Sequence, residues 1–207
     1  MALKKLILIR HGELPEEFAG RFVGSTDAPL SEKGAADCRA LAGIWRGLKS
    51  GITFVSPKLR ALQSAELICG TAEFVVDERL REVDFGRWET LNFEEIAGAD
   101  PEYSKYWYDH PDEIHFPGGE SVPQFNMRVE AFTEMLFSLP QDVITVISHG
   151  GVLTAMIRRL MELPHESMWR WQPLRGSLSV IDFDPASLPG RFGVLNLKPL
   201  ELSGWQK

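Results

Sequence analysis

Two stretches of this chain run an aliphatic segment straight into a histidine followed by glycine. "LILIRHGE" leads into Arg10, His11 and Gly12, and "VITVISHGG" leads into Ser148, His149, Gly150 and Gly151. A third stretch, "VSPKLRALQSAE", places Arg60 shortly after Ser56 and Pro57. Imidazole serves as nucleophile or proton carrier near neutral pH, and planar guanidinium forks match phosphoryl oxygens. Taken singly, each piece is ordinary: a strand-end histidine is commonly structural, Arg60 reads as a salt-bridged helix residue, and paired glycines mark a turn. Together, two histidines, two arginines and the amide-rich starts of helices describe an anion site.

Such a site needs elements that bring the pieces together. The runs at 6–9, 52–55 and 143–147 are continuously apolar, as in parallel strands covered on both faces, and they alternate with helical periodicity. In an open parallel sheet, ligands bind beyond the carboxyl ends of the strands. If the strands at 6–9 and 143–147 are neighbours, His11 and His149 face one crevice, with Gly12 and Gly150 permitting close approach or a positive φ. Cys38, Leu41, Trp45 and Leu48 mark the inner face of one helix, and Phe125, Val129, Phe132 and Leu136 that of another. Ser56 and Pro57 read as N-cap and first residue of a helix whose first turn holds Arg60, leaning toward the crevice. "SVPQ" at 121–124 has capping-box spacing, and Val152 to Leu163 reads as a further helix. "SLSVIDF" and "FGVLNL" read as a hairpin at the sheet edge. The expected fold class is therefore α/β, a three-layer α/β/α arrangement with a mostly parallel central sheet and an antiparallel edge strand. Residues 1–207 are expected to form a single domain, with 99–121, rich in Pro, Gly, Asp and aromatics, as a lid or excursion over one end of the sheet.

Composition narrows the chemistry. The 207 residues are 44% hydrophobic and 25% charged with a formal net charge of −7, and there is no basic stripe for a nucleic acid. Cys38 and Cys69 sit in helical patterns and are expected as buried free thiols of a reducing compartment. No stretch reads as a membrane span or leader, so a cytoplasmic location is expected. No histidine pair has the spacing of a metal site, and no phosphate loop or dinucleotide fingerprint occurs, so neither metal nor cofactor is expected. His110, His115 and His165 read as loop and helix-end residues without a chemical role.

"LIRHGE", "GRFVGSTDAPLSEKG", "VSPKLRALQSAE", "LREVDFGRWE", "PGGES" and "VISHGG" occur in the order of the signature segments of the histidine phosphatase superfamily, also called the phosphoglycerate mutase-like family, which this chain resembles from Leu6 to about Gly151. Within it, the length and the "FGRWE" and "PGGES" segments look most similar to the alpha-ribazole-5'-phosphate phosphatases of cobalamin synthesis. The resemblance implies a two-step phosphoryl transfer: His11 attacks phosphorus, while Arg10, Arg60, His149 and Gly150 hold the non-bridging oxygens. A proton donor to the leaving oxygen is also needed, and "LREVDFGRWE" offers Glu82, Asp84 and Glu89; spacing does not choose among them. The family pattern selects Glu82, which makes His11, Glu82 and His149 the implied catalytic set, and Asp84 and Glu89 are then expected as solvated loop charges. Arg21, Phe22, Val23, Gly24 and Trp88 are expected in the substrate pocket.

Three positions depart from the family. Leu14 and Glu17 stand where family members usually carry Thr and Asn, so one polar phosphate contact is missing or supplied differently, and a carboxylate there would repel phosphate unless it points away. Thr90 stands where "WEG" has glycine. Phe18, Phe22, Trp88, Trp107 and Tyr108 lie in segments expected to rim the crevice, where they could stack on a flat ring. The expected partner is a small phosphorylated metabolite, with no nucleic acid and no membrane, and a homodimer is admitted. The alternatives are a 2,3-bisphosphoglycerate-dependent phosphoglycerate mutase and a phosphate-binding module without turnover.

Overall fold

The computed structural model describes residues 3–164, 172–184 and 187–199, so His165 lies outside the described residues. β1 (Lys5–Arg10) pairs in parallel with β4 (Val143–Ser148), β4 with β2 (Ile52–Val55), and β2 with the two-residue β3 (Val75–Val76). On the other side of β1, β5 (Leu178–Asp184) is antiparallel, and β6 (Ser187–Leu197) pairs antiparallel with β5. The six-stranded order is β3-β2-β4-β1-β5-β6. The expected edge hairpin is present and forms two strands of the sheet.

Period-two alternation sends Leu6 and Leu8 to one face of the sheet and Ile7 and Ile9 to the other. α1 (Glu32–Gly47) and α2 (Leu59–Cys69) cover the face of Ile7 and Ile9, burying Cys38, Leu41, Ala61 and Ile68. α5 (Val122–Leu136) and α6 (Gly150–Leu160) cover the opposite face with Phe125, Val129, Phe132, Leu153 and Ile157. Truncating a buried phenylalanine such as Phe132 would cost about 3–5 kcal/mol. The capping box at Ser121 and Gln124 opens α5 as its spacing predicts. Cys38 and Cys69 are free and buried, and burial pushes both thiols up, Cys69 to about 11. No helix among the described residues is long and apolar enough to cross a membrane.

Several local expectations change. α2 begins at Leu59 with Lys58 as its cap, two residues later than Ser56 and Pro57 suggest; Ser56 Oγ accepts from Lys58 N (3.3 Å) and is engaged with His149. α6 stops at Leu160 instead of continuing to Leu163. The 99–121 excursion contains α4 (Pro101–Asp109), packed beside α3 (Phe93–Ala99); Asp100 ends α3 and caps α4, and Pro101 suits a first helical turn. Trp88, Tyr103, Trp107 and Phe116 join this lobe to the α5 and α6 core.

Thr90 adopts φ 63°, a region that favours glycine and is costly for a β-branched residue. It is held there by its amide donating to Phe22 O (2.7 Å) and its carbonyl accepting from Arg21 Nη1 (2.7 Å). Thr90→Gly should therefore stabilise the protein by about 1 kcal/mol, a rise of about 2–4 °C in Tm for a chain of this size. Thermal unfolding followed by circular dichroism checks this; an unchanged or lower Tm would show that the strain is absent.

Candidate active site

The pairing of β1 with β4 sets Arg10 opposite Ser148, so the next residue on each strand, His11 and His149, leaves the sheet at the same end. Their ring centroids are 5.1 Å apart; His11 is 3% exposed and His149 is fully buried. His11 Nδ1 lies 2.8 Å from Gly12 O. A carbonyl only accepts, so Nδ1 carries the proton and, in the neutral ring, Nε2 keeps its lone pair. Burial, reinforced by Arg10 and Arg60, holds His11 well below the usual histidine range, so the ring is neutral at physiological pH.

His149 is fixed from both sides. Arg60 Nε, which can only donate, lies 3.2 Å from His149 Nδ1, so the proton sits on Nε2 and is donated to Ser56 Oγ at 2.6 Å. Burial, then Arg60, His11 and Arg10, keep this ring neutral as well. Arg60 is itself fully buried, and its remaining fork donates to Thr26 O (2.8 Å), Val23 O (3.0 Å) and Gly24 O (3.0 Å). The fork expected to face an anion is thus engaged mainly with backbone, where it orders the 23–26 loop and sets the tautomer of His149.

Arg10 is the more open cation. Its Nη1 donates to Pro173 O (2.8 Å), while its Nε is buried without a partner. Burial and the nearby Arg175 push its guanidinium down to about 10, with Glu82 and Glu13 opposing, so it stays charged at neutral pH. The two glycines of "SHGG" have separate reasons. A Cβ on Gly150 would lie 2.9 Å from Arg10 Cζ, and one on Gly151 would lie 2.6 Å from Glu82 Oε1. Neither needs a positive φ. Gly12 is likewise a close approach, since a Cβ there would meet Gly34 O at 2.6 Å.

Glu82 faces the same space. Its Oε2 accepts from Gly151 N (3.0 Å) at the start of α6, and Oε1 from Val83 N (3.1 Å). The backbone beneath it is held by Arg128, which donates to Arg79 O (2.7 Å), Arg81 O (2.6 Å) and Glu82 O (3.2 Å) and pairs with both oxygens of Glu120 at 2.7 Å. Ser148 Oγ adds a bond to Leu80 O (2.8 Å). The sequence does not reveal these roles of Ser56, Arg128 and Ser148: Ser56 reads as a helix cap, and nothing in the spacing ties Arg128 to carbonyls 46 to 49 positions away.

A cavity of about 280 Å³ opens beside these groups. Arg10, Glu82, Gly150 and Gly151 form one end, and Phe22, Phe85, Trp107, Phe116 and Phe125 form most of the remaining wall, with Asn126, Thr154 and Gln172 as neutral polar groups. Of the residues expected in the pocket, Phe22 lines it. Arg21 instead pairs with Glu95 (2.7 Å), Val23 and Gly24 present carbonyls to Arg60, and Trp88 is 2% exposed in the core behind Phe116 and Trp107. Glu17 is exposed in a short 3-10 turn, and Leu14 is buried. His110 stacks on Tyr106, and His115 bonds to Gly119 O. Asp84 caps a turn through Gly86 N.

Glu89 is not the solvated charge its loop position suggests. It accepts from the amides of Gly24, Ser25, Thr26 and Phe85 and from the Thr26 hydroxyl (2.6 Å). Burial alone would push its carboxyl up; the Thr26 hydroxyl and these amides bring it below the usual glutamate range.

A sequence profile described as histidine phosphatase superfamily (branch 1) matches residues 6–189. The chain is 30% identical over 184 residues to the adenosylcobalamin/alpha-ribazole phosphatase of Escherichia coli (strain K12), covering 87% of this chain and 90% of that protein. It is also 30% identical over 185 residues to phosphoserine phosphatase 1 of Hydrogenobacter thermophilus, with 87% of each covered. The crystal structure of the alpha-ribazole phosphatase from Shigella flexneri matches with a TM-score of 0.83 at 29% identity, over 93% of this chain and 96% of that one.

The two neutral histidines give stability a definite pH dependence. Unfolding returns both rings to the usual value, so below it the unfolded chain binds protons that the folded one does not. Stability is whole above about pH 6.5 and is lost as pH falls, by up to about 1.4 kcal/mol per pH unit for each ring. Urea unfolding at about pH 7 and about pH 5.5 should show this slope, and His11→Gln with His149→Gln should flatten it; equal slopes would mean the rings are not buried neutral.

Proposed function

The chain belongs to the histidine phosphatase superfamily, and we propose that it hydrolyses phosphomonoesters through a phosphohistidine formed on His11. The observation that carries this reading is the meeting, at one end of an aromatic cavity, of an Arg10 whose Nε is buried without a partner and the Glu82 carboxyl group, next to a His11 held neutral with Nε2 unprotonated. Arg10 takes the non-bridging oxygens, with Gly150 at the head of α6 adding its amide and Arg60 its charge. His149 stands beside the nucleophile as a neutral ring held by Arg60 and Ser56.

In the first step, His11 Nε2 forms a bond to phosphorus as the phosphorus–oxygen bond to the alcohol breaks, and the departing oxygen takes the proton of Glu82, which enters the step as the carboxylic acid. In the second, water attacks the phosphohistidine, Glu82 removes its proton, and phosphate leaves with Nε2 restored. Every charge in this scheme is met by the chain's own groups.

The substrate is read from the wall. Among the described residues the cavity's only cation is Arg10, so a leaving group with its own carboxylate, as in phosphoserine or a phosphoglycerate, would be desolvated there without a partner. Five aromatic rings favour a flat, uncharged one. An ester of the alpha-ribazole 5'-phosphate type, whose relevant relatives are named above, meets that requirement. Residues 99–121 supply Trp107, Pro111 and Phe116 to the cavity and so serve as its cap.

Hydrolysis of p-nitrophenyl phosphate in the presence of EDTA tests the mechanism. His11→Ala should lower kcat by more than about 1,000-fold. Glu82→Gln should cost an alkyl phosphate about 100-fold or more but p-nitrophenyl phosphate less than about tenfold, because nitrophenolate departs without a proton. Equal losses on both esters would remove Glu82 as the acid, and full activity of His11→Ala would remove the phosphohistidine.

A further inference from the structure

A second, outer cavity of about 660 Å³ adjoins the first and is lined by Phe22, Phe93, Trp107, Tyr108 and Pro111. Phe22, Trp107 and Pro111 belong to both, so the two spaces share a wall. Phe22 and Trp107 meet edge to face at 5.4 Å, and Phe93 lies 6.3 Å from Trp107, which carries the aromatic surface from the inner space to the outer one. Phe93 is 50% exposed and Tyr108 82% exposed, much apolar ring surface for a short lobe to leave in water. The inner space, at about 280 Å³, lies at the small end of ligand cavities, roughly 300–1,000 Å³. A leaving group larger than one ring system exceeds that space, and the wall of Phe22 and Trp107 carries aromatic surface on into the outer one.

Resting on the phosphatase reading above, we infer that this outer aromatic shelf is a subsite for the far end of an extended substrate, binding a second flat, uncharged group of the leaving alcohol. Its wall of four aromatic rings and a proline offers stacking faces and edges. No acidic or basic side chain lines it among the described residues, so a charged tail would gain no partner. Phe93 and Tyr108 touch only the distal group, so they affect binding of long esters and not the chemistry at phosphorus.

The test compares phenyl phosphate with a phenyl phosphate carrying a naphthyl group on an ethyl linker, using the wild type, Phe93→Ser with Tyr108→Ser, and the ring-keeping pair Phe93→Tyr with Tyr108→Phe. In the wild type the tailed ester should have a kcat/KM about tenfold higher, through a lower KM. The serine pair should remove that advantage while phenyl phosphate stays within about twofold, and the ring-keeping pair should retain it. The inference is overturned if the wild type shows no advantage for the tail, if the serine pair keeps it, or if both esters lose equally. It is also overturned if sedimentation shows that the serine pair dissociates an oligomer and the tail preference is unmoved, for then the rings cover a second copy of the chain. Wild-type turnover of phenyl phosphate separates the two readings: with turnover but no tail preference, this inference alone fails, and with no turnover the phosphatase reading fails and takes the subsite with it.

Discussion

The parallel register of β1 on β4, with Arg10 opposite Ser148, is the constraint from which the site follows. Sliding one strand by a single residue would turn Arg10 toward a packed face and reverse the sides taken by Leu6, Ile7, Leu8 and Ile9. Two dry faces hold the register, because both α1 with α2 and α5 with α6 need the aliphatic set they now cover. With it fixed, His11 and His149 emerge together, Arg10 folds over Gly150, and Ser148 reaches the carbonyl of Leu80, two residues before Glu82. One pairing thus sets His11, Arg10 and Glu82 in a common frame.

Around that frame, charge is buried only where it is answered. Arg60, fully enclosed, would be costly without acceptors; three carbonyls and His149 Nδ1 provide them. Those carbonyls are in place because Glu89 gathers the amides of the same loop from its other side. The chain of contacts runs from Glu89 through residues 23–26 to Arg60, to His149 and on to Ser56, and its product is a defined tautomer beside His11. Arg128 does for Glu82 what Glu89 does for Arg60. Both cases use an ion pair or carboxylate to fix backbone, which then fixes a reacting group.

Much of this was legible in the sequence where the local signal and the tertiary demand coincide. Continuous aliphatic runs ending in histidine and glycine gave the strands and their shared end, and helical spacing gave the inner faces of α1 and α5. The capping box at Ser121 held for the same reason, being a contact within three residues. Ser56 does not open the helix because its hydroxyl oxygen also serves a long-range donor, His149 Nε2, 93 positions away. Trp88 failed as pocket wall because an aromatic in a loop segment can serve the core as readily as a ligand. Glu89 and Arg128 were opaque because most of their partners are backbone groups, which every residue has and no sequence pattern marks. Thr90 illustrates the converse: its backbone takes a conformation suited to glycine although the residue is β-branched.

The central claim is that His11 Nε2 receives the phosphoryl group, and trapping that species tests it most directly. Wild-type protein mixed with p-nitrophenyl phosphate, quenched within one turnover in alkali and digested, should yield one phosphopeptide containing His11. Phosphorus NMR should place the phosphoryl group on Nε2, and acid should release it. Phosphate on Nδ1, on another residue, or on none during undiminished turnover would contradict the account.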